Sequence, residues 1–308
     1  MSGSHDSRMP RARPLPVHLS HRPFTVAEAV AGGVGRDRLT RSDLVAPFTG
    51  VRIPAPIAAL EPVEHARLAL LASGDQAFLS GPSAAIVIGM PVPQRLLGNV
   101  EVSVPAPGRA IRRRGIRGRV LAVRAAELTS WRGVRLTNPA RTWCDLATVV
   151  TVPELVAAGD WLLRGGLANA DSLARSASAR ADRRGIGRIR TALSMLDPRS
   201  ESPKESELRA IVILGGLPAP RPNVEIRRPD GRFVARVDLL FEEYGEVLEY
   251  HGDHHRTDRR QWRRNRTREA DLEALGHHVM EVTDDDLKAP AALVDRIAAN
   301  LRRRGWTP

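Results

Sequence analysis

The segment from Arg236 to Gly252 constrains this chain more than any other. Arg236 to Phe241 and Glu246 to His251 both read as strands, and the four residues Glu242 to Gly245 between them suit a hairpin turn. If Phe241 pairs with Glu246, antiparallel register sets Asp238 directly opposite Glu249. Opposed side chains share a face, with Cβ atoms about 4.5–5.5 Å apart. Two carboxylates that close repel unless a cation or a shared proton intervenes. A divalent metal resolves the conflict. Strand carboxylates taken singly more often lie on an open, solvated face. The apolar company of Val237, Leu239, Val247, Leu248 and Tyr250 argues instead for a hairpin buried on at least one side.

His251 follows Glu249 by two residues and so shares its face. Gly252, Asp253, His254 and His255 come next, which puts four ligands or proton carriers within five residues. No cysteine accompanies them, so the spacing fits no structural zinc site. His254 or His255 taken alone reads more readily as part of a solvated linker, and the cluster as a whole favours function. Arg256 to Arg268 then holds seven arginines against one acid, Asp258. Read as a helix, this stretch turns Trp262, Ala270, Leu272 and Leu275 toward a core and ends at Gly276. Its positive charge is concentrated beside the carboxylate hairpin, which favours phosphate contact by Arg256, Arg259, Arg263 and their neighbours.

Six elements in this order resemble the PD-(D/E)xK nuclease superfamily, specifically bacterial proteins related to very-short-patch mismatch-repair endonucleases. They are Ser202 to Arg209 on a leading helix, Val237-Asp238, Glu249 to Gly252, His254-His255, the Trp262 to Arg266 helix, and Leu272 to Val279 before a last strand. The resemblance covers about residues 200–303 and implies a restriction-endonuclease-like α/β domain. It implies that Asp238 and Glu249 are metal carboxylates and that Glu205 is a further acid. It also implies that His254 or His255 carries a proton or meets phosphate. The chain departs from the pattern twice. His251 stands where the superfamily usually has Lys, in a His-Gly pair like that of the repair endonucleases, and Asn265 stands where relatives often have an acid. Carboxylate oxygens suit Mg²⁺, with Mn²⁺ as the alternative. A neutral His251 is able to orient or deprotonate water.

At the other end, Thr25 to Glu28 is a capping box starting a short helix through Val30, which Gly32 and Gly33 stop. Gly35 to Leu44 reads as a second helix bearing Arg36, Arg38 and Arg41, and Phe48 to Ile53 as a small wing. Helix, glycine turn and basic helix follow helix-turn-helix grammar. The region resembles the winged-helix module of abortive-infection type IV antitoxins, which implies DNA contact by those three arginines; the alternative is a helical packing module. Residues 1–21 read as a disordered basic arm, with order from about Pro23.

Residues 61–200 are expected to form a middle region of α/β and helical character, which resembles the linker-to-core region of antitoxin-like proteins. Helices are expected at Val63–Ala72, Pro82–Gly89, Thr151–Leu163 and about Ser172–Leu196, and strands near Val100–Val104 and Gly118–Val123. Arg109 to Arg119 crowds six arginines into one loop-strand stretch, read as a solvated loop in preference to a nucleic-acid surface. Trp143 and Cys144 belong to a core. Asp197 to Glu201 is the expected boundary before a nuclease-like domain over 201–308.

The whole is thus expected to be α/β (α+β), a winged helix-turn-helix followed by a restriction-endonuclease-like domain. A formal net charge of +12 argues for a polyanionic partner, DNA. The single Cys144 excludes an internal disulfide framework and fits a reducing cytoplasm. No segment has the ~20 apolar residues of a membrane span, and the start lacks a signal-peptide pattern. Metal-dependent cleavage of DNA phosphodiesters is the expected function. The alternative is a catalytically inactive DNA-binding regulator or antitoxin-like factor.

Overall fold

The computed structural model describes residues 13–58, 61–252 and 259–308, without the side chains of 259–266. The chain divides into two compact units, one of Met1–Ile88 with Gln94–Asn138 and one of Gly89–Pro93 with Pro139–Pro308. Both mix helices with β-sheet. No helix among the described residues is long and apolar enough to cross a membrane.

The first unit begins with β1 (Phe24–Thr25) and α1 (Val26–Ala31), whose cap is the expected one: Thr25 Oγ1 accepts from the Glu28 amide at 3.0 Å. A 3₁₀ turn at Arg36–Thr40 follows, then β2 (Leu44–Val45) and β3 (Val51–Pro54), giving a three-stranded sheet in the order β1-β3-β2. Two expectations change here. The basic second helix is only that five-residue 3₁₀ turn, because Leu39 is its sole buried residue and no apolar stripe extends it. The arm is ordered from at least Leu15, since Leu19 is fully buried against Phe24, Ala29 and Leu39.

The unit continues with α2 (Pro62–Leu71), β4 (Phe78–Leu79), α3 (Gly81–Ile88), β5 (Val100–Pro105) and β6 (Arg112–Arg113). It closes with β7 (Ile116–Leu121), β8 (Leu128–Trp131) and β9 (Val134–Thr137). These strands form one sheet in the order β6-β7-β5-β4-β9-β8. Arg112 to Arg119 is therefore a hairpin at the edge of a sheet and not a loop.

The second unit opens with four helices, α4 (Pro139–Leu146), α5 (Val152–Arg164), α6 (Ala170–Ala179) and α7 (Ile186–Leu193). Trp143 and Cys144 are both fully buried, and the Trp143 indole donates to the Leu155 carbonyl at 2.8 Å. The helical stretch expected over about 172–196 is divided into two helices, α6 and α7. Gly185 adopts φ 76°, and a Cβ there would lie 2.8 Å from the Ala147 carbonyl oxygen, so the turn tolerates only glycine. The expected boundary at 197–201 falls inside this unit, because α5 packs on α8 (Pro203–Leu214) around a buried Asp160–Arg209 ion pair of 2.8 Å.

The remainder is a four-stranded sheet, β10 (Arg221–Arg227), β11 (Phe233–Phe241), β12 (Glu246–His251) and β13 (His278–Thr283), with α9 (Arg259–Ala274) leading into β13. β10, β11 and β12 are antiparallel and β13 runs parallel to β12. The chain ends with α10 (Asp284–Lys288) and α11 (Pro290–Arg303). The sheet is buried on both faces. Leu239, Leu248, Met280 and Val282 pack with α8 and α11, while Val237, Leu240 and Val247 pack with Leu272 of α9.

Candidate functional site

The hairpin has the expected register: Phe241 pairs with Glu246, Leu240 with Val247 and Leu239 with Leu248. A 3₁₀ turn at Glu242–Tyr244 and Gly245 at φ 57° close the four-residue loop. Continuing the register by one residue sets Asp238 across from Glu249. The backbone ladder stops there, and Asp238 Oδ2 itself accepts the Tyr250 amide at 2.8 Å. The other neighbour also parts at this level. Pairing with β10 skips Asp238 between Pro222↔Leu239 and Val224↔Val237, and the unpaired residue, Asn223, has φ 52°. Asp238 thus sits where the sheet opens on both sides.

Glu205 reaches the same neighbourhood from α8. The Ser202 hydroxyl accepts from its amide at 3.1 Å, which fixes Glu205 in the first helical turn. Its Oε2 accepts from Asn223 Nδ2 at 2.8 Å and from the Glu201 amide at 2.8 Å. Asn223 is thereby a positioning residue that nothing in its sequence context marks.

The three carboxyls act on one another electrostatically. Burial pushes the Asp238 carboxyl up to about 6, with the negative charge of Glu205 adding to the rise. Burial also pushes Glu249 up to about 7, and there the Arg268 guanidinium opposes the rise while Asp238 and Glu205 add to it. Arg268 donates to Glu249 Oε1 at 2.5 Å and to the Arg236 carbonyl at 2.6 Å. Its sequence signal is spacing: it stands one helical turn before the buried Leu272, so it faces the sheet while other arginines of that run need not. His251 Nε2 lies 3.8 Å from Glu281 Oε1, an acid on β13 that the sequence reading missed. Glu249, His251, Arg268, Glu269, Leu272 and Val279 line one small cleft.

Among the described residues, no group of three or more His, Cys, Asp or Glu side chains is placed to hold a metal. Asp238 and Glu249 nevertheless fit Mg²⁺ by donor chemistry. That ion is held through one or two carboxylates, keeps several waters and takes its remaining ligands from substrate phosphate. A buried and a half-buried carboxylate whose charged forms are disfavoured are what a cation would stabilise. Arg268 supplies part of that compensation to Glu249.

His254, His255 and Arg256, and the side chains of Arg259 and Arg263, lie outside the described residues. In the first unit, Arg36 and Arg41 are exposed, but Arg38 is committed to Asp43 through hydrogen bonds of 2.6 and 3.0 Å and to the Arg13 carbonyl. Its side chain is 12% exposed, so it does not act as a free recognition arginine. A concavity of about 620 Å³ lies between α5, α8, α10 and α11, on the sheet face away from the Glu249 cleft.

No family model matches the chain. Two uncharacterized proteins of Mycobacterium tuberculosis, Rv2248 and MT2308, are each 31% identical to it over 179 residues, which is 58% of this chain and 66% of theirs. Among solved structures, the RV2827C protein of Mycobacterium tuberculosis aligns over 68% of this chain and 84% of its own, at 18% identity and a TM-score of 0.38.

Proposed function

We propose that the second unit is a metal-dependent DNA endonuclease of the PD-(D/E)xK type, acting at Asp238 and Glu249. One observation carries the reading: the register brings two carboxylates together at a break in the sheet, Glu249 buried and Asp238 half-buried, both with pKa values raised by burial. A desolvated pair that resists ionisation is a poor structural device and a good cation site. Asp238 and Glu249 would hold Mg²⁺ or Mn²⁺, and the ion, when bound, lowers the pKa of water and offsets charge growing on the scissile phosphate.

The chain's own residues have separable tasks. The Tyr250 amide fixes Asp238, and Asn223 fixes Glu205. His251, on the face of Glu249 and 3.8 Å from Glu281, would take a proton from an attacking water. Arg268, which pairs with Glu249 here, would be available to phosphate once a cation took over that carboxylate.

The second reading is a DNA-binding regulator with no catalysis. The Arg268–Glu249 ion pair favours it, because the protein then supplies its own cation where a metal would sit. Plasmid nicking separates the two. On the enzyme reading, wild type nicks duplex DNA with Mg²⁺ or Mn²⁺, and Glu249→Gln abolishes nicking while duplex binding in chelator survives. Binding without nicking by wild type under either metal selects the regulator.

A further inference from the structure

We propose that the β6–β7 hairpin is the nucleic-acid contact of the first unit and takes the phosphate backbone of duplex DNA. This rests on the reading of the protein as DNA-associated and names the surface responsible.

The expected recognition element is a short 3₁₀ turn whose central arginine is tied to Asp43. The hairpin has what that turn lacks. It lies at the edge of the six-stranded sheet, with Arg112 paired to Arg117 and Arg113 to Ile116 around a turn at Arg114-Gly115. Gly115 takes φ 81°, and a Cβ there would lie 3.2 Å from the Phe48 ring, so the turn is tight and held against the β2–β3 loop. The Arg113 guanidinium donates to the Thr49 carbonyl in that loop, which fixes the hairpin's orientation within its unit.

Charge on the hairpin is not balanced internally. Arg112 and Arg117 are cross-strand neighbours, and like charges in that position repel. Glu101, next in the row on β5, is the acid that faces these arginines among the described residues. It is 3% exposed and lies 3.2 Å from Arg119 and 3.9 Å from Arg117. Arg109, Arg112 and Arg114 are exposed, with no carboxylate partner among the described residues. Charge on an edge strand also deters edge-to-edge pairing. That purpose needs a charge or two on β6 and does not call for Arg117 on the inner strand or Arg109 before the hairpin. Arginines on and beside this exposed sheet edge suit the phosphates of a duplex, which are read by charge and position and need no base contact.

The test is a gel-shift titration of the full chain on a 30-base-pair duplex in EDTA at several salt concentrations. Arg109, Arg112 and Arg114 are replaced together by Gln, and in a second variant by Lys. A third variant replaces Arg36 and Arg41 by Gln. The Gln triple variant should bind at least about tenfold more weakly, and its salt slope should fall by about 0.9 per arginine, about 2.7 in all. The Lys variant should keep the wild-type slope, and the Arg36/Arg41 variant should lose less than the Gln triple. Unchanged affinity and slope in the Gln triple variant would overturn the proposal, as would an equal loss in the Lys variant, which would make the role structural. Failure of wild type to bind the duplex, or preference for single-stranded or RNA probes by more than tenfold, would overturn it as well. Because no metal is present, absence of nicking leaves this result untouched.

Discussion

Glu249 and Asp238 should dominate the pH response of the metal-free protein. Their folded pKa values, about 7 and about 6, lie above the ordinary 4.5 and 3.8, so folding favours their protonated forms. Their contribution to stability is therefore fully present below about pH 4 and is lost as pH rises through about 6 to 7. In thermal melts without metal, Glu249→Gln should flatten the fall in Tm between pH 5 and pH 8; an unchanged slope would contradict the assignment. A divalent ion reverses the sign, because it binds the ionised pair. Stabilisation by added Mg²⁺ should be larger at pH 8 than at pH 5.5. Asn223→Ala should reduce nicking while leaving duplex binding intact, since its amide holds only Glu205 and the Arg199 carbonyl.

At the scale of elements, the first turn of α8 links folding to the site. Ser202→Ala removes the cap on the Glu205 amide and should cost about 1 kcal/mol in urea melts. Leu248→Ala, in the fully buried row beneath the hairpin, should cost about 2–5 kcal/mol. The hairpin was legible in the sequence because strand alternation and a four-residue turn fix register together. The split at Asp238 was not legible, because it depends on Asn223, whose strand reads as a polar stretch containing Pro222. As β10 is an edge strand, proline is tolerated there and the usual apolar pattern is absent. The basic second helix failed for the opposite reason: its charges looked functional, but a single buried Leu39 cannot anchor a helix face. Arg268 was hidden among seven arginines, and only the helix phase relative to Leu272 singles it out.

At the scale of the molecule, two units with separate cores should respond separately to core lesions. Asp160→Ala leaves Arg209 buried without its partner, a loss of about 3–5 kcal/mol. Hydrogen exchange in this variant should rise across α5, α8 and the β10–β13 sheet while the β4–β9 sheet keeps its protection; a uniform rise would show one cooperative unit. The net charge of +12 makes polyanion binding expected at low salt whichever functional reading holds, so binding alone decides nothing about catalysis. What decides is whether the carboxylate pair holds a cation. Mn²⁺ titration followed by electron paramagnetic resonance at pH 8 tests this directly. One ion should bind per chain, more weakly below about pH 6 as protons compete, and Glu249→Gln should abolish it. No bound ion at pH 8, or an ion that binds Glu249→Gln as well as wild type, would contradict the account.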